Sequence, residues 1–262
     1  VHAEHQDNDI GGWGFLIPAF KQDLTGAYIY DKFKLNDHVL IHGALRYDHG
    51  QIRVSKYTDW FAIDAQKITR AENLTRIFNS LVWSIGLNYN RDKFSLKTNI
   101  GKSFRMPLAK ELAANGVNYH YFSYEKGNPT LSAEKSYQVD ICLGWNDDKW
   151  SIQISPFYNY FPNYIYLNPT SIRDPYYGGA VNQVFKYIQS RVVRYGGELQ
   201  FKYNLLKGLS TEVLGEYVLS RQLSGDKKGY SLPFSPPPSV LFNLTYSPQF
   251  NKGFTGTYFS VD

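Results

Sequence analysis

Residues 101–136 read GKSFRMPLAKELAANGVNYHYFSYEKGNPTLSAEKS, a long polar stretch set between two runs of strict apolar–polar alternation. In the run before it, Phe94, Leu96, Thr98 and Ile100 share one face, opposite Ser95, Lys97, Asn99 and Gly101. In the run after it, Tyr137, Val139, Ile141, Leu143 and Trp145 alternate with Gln138, Asp140, Cys142, Gly144 and Asn146. A period of two over that length specifies strands that are apolar on one side only. The stretch between them carries its own turn chemistry at Gly127-Asn128-Pro129.

The same period extends in both directions. It predicts strands over 26–34, 38–50, 78–90, 93–105, 135–146, 149–166, 185–204, 209–223, 238–247 and 253–261, after a non-strand lead-in over 1–25. Several exceed the usual globular length of about 5–6 residues and suit a tilted bilayer crossing of about 9–11. Their apolar faces include Leu81, Trp83, Ile85, Leu87 and Tyr89, and later Val240, Phe242, Leu244 and Tyr246. Opposite faces carry Arg194, Glu198, Gln200, Lys202, Glu212 and Glu216. Short turns at Leu35–Asp37, Asn90–Lys93, Asn146–Lys149, Leu205–Gly208 and Pro248–Gly253 alternate with long segments at Gln51–Ile77, Met106–Glu134, Asn168–Val184 and Ser224–Pro237. In an up-and-down sheet every second connection lies at the same end. Sorting of loop lengths by end is a property of outer-membrane barrels, with short periplasmic turns and long extracellular loops.

Composition agrees. Of 262 residues, 22 are Tyr, 17 Phe and 5 Trp, an aromatic content suited to girdles at two bilayer interfaces. Mean hydropathy is −0.40, and no apolar run approaches the ~20 residues of a spanning helix. A barrel strand hides its apolar face within an alternating pattern, so neither fact excludes a membrane. The net charge of +5 is scattered through turns and loops, without the stripe a nucleic acid requires. The single cysteine, Cys142, precludes an intramolecular disulfide framework and falls on the polar face of its strand. The N-terminal residues Val1–His5 lack the apolar core of a signal peptide.

The central stretch resembles the barrel domain of TonB-dependent outer-membrane receptors. The matching residues are Gly101, Phe104-Arg105, Pro107, Glu111-Leu112, Asn115-Gly116, Gly127-Asn128-Pro129, Leu131, Glu134 and Ser136, in the family's order; a weaker hallmark is matched by Gly43–Asp48, GALRYD. The resemblance implies an all-β, antiparallel, up-and-down transmembrane barrel, of which residues 1–262 are a C-terminal part: about ten strands of a barrel of about 22. The resemblance places the plug, the early strands and the last strands outside this chain; left as an open sheet, it would expose two unpaired edges, costly in lipid.

The resemblance further implies a non-enzymatic receptor of the bacterial outer membrane that takes up a scarce solute: an iron-siderophore, haem or another metal complex. It implies no resident cofactor and no nucleic-acid partner. The implied partners are outer-membrane lipid, the receptor's own plug, TonB and the metal-chelate ligand. Tyr119, His120, Tyr121 and Tyr124 in the long loop are the candidate ligand contacts; packing of the loop is the competing role for these rings. Asn118-Tyr119-His120 departs from the commoner GVH-H form, so no metal ligand is carried over. Phe104, Arg105, Pro107, Glu111, Gly116, Gly127, Asn128, Pro129 and Glu134 are expected to be structural, with Arg105 at the lumen rim and the glutamates bonding loop backbone or an arginine. His38 and His42 share a face but sit about 13 Å apart at ~3.3 Å per residue, too far to chelate one ion. No nucleophile elbow, H-E-x-x-H or phosphate-binding pattern occurs. Two other readings of the residues are a soluble β-sandwich carbohydrate-binding module and a passive porin.

Overall fold

Pairing of sequence neighbours builds almost all of the computed structural model, which describes residues 1–12, 14–63, 65–174, 182–233, 235–248 and 257–262. In chain order the elements are β1 (His2–Asn8), β2 (Phe20–Lys34), β3 (Val39–Val54), β4 (Tyr57–Ile63), β5 (Gln66–Ala71), β6 (Leu74–Arg91), β7 (Phe94–Arg105), α1 (Ala109–Ala113), β8 (Asn115–Asn118), β9 (Ser123–Lys126), β10 (Glu134–Asn146), β11 (Trp150–Arg173), β12 (Gln183–Leu206), β13 (Leu209–Gln222), β14 (Ser239–Tyr246) and β15 (Phe259–Val261). One sheet runs β1-β2-β3-β6-β7-β10-β11-β12-β13-β14-β15, every step antiparallel. Among the described residues β1 and β15 do not pair, so the sheet stays open.

The register aligns the apolar faces across the whole wall. Ile85, Ile100, Val139, Tyr158 and Tyr195 are successive cross-strand partners, and all are exposed. Nearer the short turns runs an aromatic row: Tyr89 lies 6.0 Å from Phe94, Phe94 pairs with Trp145, and Trp145 stacks on Trp150 at 6.5 Å. The other face is polar; Ala44, Ser84, Gly101, Gln138, Asn159, Arg194 and Ser220 form one of its cross-strand rows. The only other sheet among the described residues is the two-stranded β4–β5. A sandwich would bury the apolar faces against a second sheet; here they are exposed, so the β-sandwich of the alternative reading is not the fold.

The short turns β2–β3, β6–β7, β10–β11 and β12–β13 share one end, and the connections β3–β6, β7–β10, β11–β12 and β13–β14 share the other. The predicted order of lengths therefore holds. The predicted turn Pro248–Gly253 and the start of the strand 253–261 lie partly outside the described residues, as does Trp13 of the lead-in.

Residues 1–25 are not a structureless lead-in. β1 pairs residue for residue with 20–26 of β2, with an ion pair Lys21–Asp7 at 2.8 Å and a hydrogen bond between His5 Nδ1 and Asp23 Oδ1 at 2.6 Å. HAEHQDN has no apolar face because this end of β2 lies beyond the apolar band, beside the far end of β3. β11 and β12 also overrun their predicted ends, to Arg173 and from Gln183, as a ribbon rising past the neighbouring strands.

The hydrophobic core lies on the polar side of the sheet at the long-connection end. Ile52 and Val54 of β3, Phe78 of β6, Ile165 of β11 and Tyr187 of β12 surround Met106, Ala109, Leu112, Ala114, Leu131 and Ala133 from the β7–β10 connection. Burial of each larger side chain contributes about 1.5–3 kcal/mol. That connection thus folds back against the wall instead of extending into solvent.

Candidate functional site

The loop between β7 and β10 leaves the wall through Arg105. Its guanidinium donates to Glu111 Oε2 at 2.8 Å and to both oxygens of Glu134 at 3.3 and 3.2 Å. Glu111 also accepts the backbone N–H of Leu108 at 2.9 Å, which fixes the start of α1, and Glu134 accepts that of Ile165 at 2.7 Å. One arginine therefore ties β7, α1, β10 and β11 together. Charge-assisted bonds of this kind are the stronger class.

Two glycines let the loop backbone close on itself. A Cβ on Gly116 would sit 1.6 Å from the Phe15 carbonyl oxygen, and one on Gly127 2.5 Å from the Ala113 nitrogen. Gly127 donates to Ala114 O at 2.6 Å and Asn128 to Glu111 O at 2.8 Å, while Asn128 Oδ1 accepts from Thr130 N at 2.9 Å. Arg76 closes the return by donating to the carbonyls of Pro129 and Leu131. Pro107 is fully buried, and Phe104 packs against the core. The motif residues Phe104, Arg105, Pro107, Glu111, Gly116, Gly127, Asn128, Pro129 and Glu134 thus build the frame of the loop. Gly116→Ala is expected to cost about 1–3 kcal/mol through overpacking, measured as a fall in the melting temperature of the purified protein; unchanged melting would refute the close approach to Phe15.

From this frame, hairpin β8–β9 bridges two flanks of the wall. β9 adds in parallel to the free edge of β12, with Val184 opposite Tyr124 and Lys186 opposite Lys126. On the other side, hairpin β4–β5 is held by a buried ion pair, Arg70 Nε to Asp59 Oδ2 at 2.8 Å, the two side chains 1% and 3% exposed. Arg70 Nη1 donates to Tyr124 Oη at 3.1 Å, Tyr124 Oη donates to Asn115 Oδ1 at 2.8 Å, and Asn115 Nδ2 donates to Arg70 O at 2.9 Å. A second buried group, Glu125, accepts from Asn118 at 2.6 Å and Tyr187 at 3.0 Å, and pairs with Lys110 at 2.7 Å. The two hairpins and the β12 edge are consequently one polar-locked body.

The tip of this body is Tyr119-His120-Tyr121-Phe122. Tyr121 is 80% and Phe122 77% exposed, and Phe122 adopts a left-handed φ of 49°. Tyr119 is exposed with its ring against Gly14, whose added Cβ would meet it at 2.8 Å. His120 is exposed, and its backbone N–H donates to Asn118 Oδ1 at 3.1 Å. The predicted quartet is thereby divided. Tyr119, His120 and Tyr121 crown the tip, whereas Tyr124 is 2% exposed and belongs to the Arg70–Asn115 lock. Sequence reading missed Phe122, which flanks the quartet, and the Asp59–Arg70 pair, whose residues carry no motif. A rigid, aromatic, solvent-facing tip can stack on a flat ligand or seat against an apolar protein patch. Among the described residues no cluster of three or more His, Cys, Asp and Glu is placed to hold a metal ion.

Comparison with known proteins bears on the fold and the family. The family model described as TonB dependent receptor-like, beta-barrel matches residues 4–262. Lactoferrin-binding protein A of Neisseria meningitidis serogroup B is 26% identical over 139 residues, 50% of this chain and 14% of that protein. Its serogroup A counterpart is 29% identical over 120 residues, 43% of this chain and 12% of its own length. Among solved structures, the copper transporter OprC superposes with a TM-score of 0.72 at 17% identity, covering 88% of this chain and 34% of that one. The hemophore receptor HasR of Serratia marcescens, solved with its hemophore HasA and heme, gives 0.65 at 16%, covering 90% and 43%. The ferric yersiniabactin uptake receptor FyuA of Yersinia pestis gives 0.60 at 15%, covering 90% and 33%. The chain therefore spans only a minor part of each of these relatives.

Proposed function

The chain belongs to the TonB-dependent receptor-like β-barrel family, and from that membership we propose that it forms wall and outer mouth of an outer-membrane receptor for a scarce metal complex, an iron-siderophore or haem. The family is one of transport receptors, not enzymes, and solved relatives of this fold carry iron, haem and copper. On this reading residues 1–262 are one part of the barrel domain. A plug domain sits inside the closed barrel, TonB supplies the energy through it, and outer-membrane lipid meets the exposed apolar face.

The observation that carries the reading is the exposed aromatic tip, Tyr119 to Phe122, held by buried ion pairs at the long-connection end. Preorganised aromatic anchors lose little conformational entropy on binding. The tip captures the solute, and the polar inner wall, with Tyr30, Ser84, Gln138 and Asn159, offers hydrogen bonds along its passage. Tyr119→Ala/Tyr121→Ala/Phe122→Ala in the intact receptor is expected to cut uptake of radioactive iron by iron-limited cells at least ten-fold. Surface amount and heat-modifiable migration are expected to stay at the parental level. Uptake unchanged by the triple substitution sinks the assignment of the tip.

A second reading concerns the source of the metal. The exposure of Tyr121 and Phe122 and the relatives that bind lactoferrin or a hemophore support a protein that delivers the ligand. In that case the triple substitution lowers uptake from a protein-bound source and leaves uptake from a free chelate unaffected.

A further inference from the structure

A cavity of about 420 Å³ lies on the inner wall of β11–β13, beneath Leu232, Pro233, Ser235 and Pro236. Its floor is Arg194 of β12 and, directly across the strand pair, Ser220 of β13. Its flanks are Tyr164, Tyr166 and Tyr187, and its roof is Leu232 with Pro233 and Pro236. The roof is fixed: Leu232 is buried against Tyr166 and Val192, and Ser235 Oγ donates to the Leu232 carbonyl at 3.0 Å. The flank is fixed as well, since Tyr166 Oη donates to Gln222 Oε1 at 2.6 Å and Tyr187 Oη to Glu125 Oε2 at 3.0 Å.

The arginine is the anomaly. Arg105 and Arg70 are each paired with carboxylates, but Arg194 has neither an ion pair nor a hydrogen bond with the described residues, and its Nε is buried without a partner. Glu111 also lines the cavity, but its Oε2 is taken by Arg105 and the Leu108 amide. A guanidinium so placed lacks the planar anion that its fork of donors matches. The neighbouring Asn159 Oδ1, on the cross-strand partner of Arg194, is likewise buried and unpaired.

We propose that Arg194 and Ser220 form the anion-holding end of a lumen-wall subsite for a diffusible, flat carboxylate. The carboxylate takes the guanidinium donors and the Ser220 hydroxyl, and the ring stacks between the tyrosines and the proline roof. This deepens the uptake reading above and rests on it: a solute caught at the tip meets its next holding point on the wall. The site selects for a carboxylate-bearing ring over an uncharged one.

The test uses the intact receptor in detergent, with benzoate as the probe and benzamide as its uncharged counterpart, read by saturation-transfer NMR and by melting temperature. Benzoate is expected to give a signal that falls at least five-fold in Arg194→Gln and by less in Arg194→Lys, which keeps the charge without the planar fork, with melting unchanged and benzamide silent. Equal benzoate signals in the parent and Arg194→Gln overturn the proposal. So does an absent benzoate signal together with a fall in melting for Arg194→Gln, the pattern of an arginine already paired with an acidic side chain in the lumen. The readout is direct binding in the wall, so failure here leaves the tip assignment, which is judged by cellular uptake, standing or falling separately.

Discussion

Arg70→Met is expected to destabilise the mouth by about 3–5 kcal/mol, because removing one partner of a buried pair strands the other charge. Asp59 is as deeply buried as Arg70, so the abandoned carboxylate has no water to turn to. The substitution also removes the donor that Arg70 presents to Tyr124. Amide hydrogen exchange resolves the effect by region, since local opening free energies vary across a structure. Residues 57–71 and 115–126 are both expected to exchange faster, while β6, β7 and β10 stay protected. Fast exchange confined to β4–β5 would show that the two hairpins are not one body. Asp59→Leu added to Arg70→Met is expected to recover much of the loss, as replacement of both charges by apolar groups often does.

Ile141→Arg is the second large effect, and it concerns the other face. Ile141 lies midway along β10 between Tyr137 and Trp145 on the outward side. Those aromatics are separated by about 27 Å along the strand at ~3.4 Å per residue, which with tilt fits an apolar band of about 25 Å. A cation at the midplane of such a band costs about 2–4 kcal/mol. Cys142→Arg, one residue on, faces the polar side and is expected to cost far less. The measurement is the urea midpoint for folding into lipid vesicles of the intact receptor; equal midpoints for the two variants would contradict the assigned faces.

These two sites mark what the sequence makes legible and what it does not. Ile141 was readable because a bilayer imposes one rule on every outward side chain, so the period of two repeats from β3 to β14. The alternation of short and long connections was readable for the same reason. Hairpins β4–β5 and β8–β9 follow no such rule. They are held by Asp59–Arg70, Glu125–Lys110 and the edge of β12, contacts between residues far apart in sequence that leave no period. β1 escaped notice because it lies beyond the apolar band and needs no apolar face. Tyr124 and Tyr121 are the same residue type three positions apart, and only the position of Arg70 and Asn115 makes one an internal lock and the other a tip. The motif glycines were legible as a family pattern; the reason for Gly116, a backbone carbonyl in the space of its missing side chain, was not.

The claim on which the rest depends is that the chain's apolar sides meet lipid and its polar sides meet an aqueous lumen. The most direct measurement places a nitroxide label in turn at residues 137–146 of the intact receptor in lipid vesicles, with Cys142 as a native attachment point and serine in its place elsewhere. Collision with dissolved oxygen reports lipid, and collision with a water-soluble nickel chelate reports the lumen. The account predicts oxygen maxima at 137, 139, 141, 143 and 145 and nickel maxima at the even positions. Accessibility without a period of two, or with the two quenchers exchanged, would contradict it.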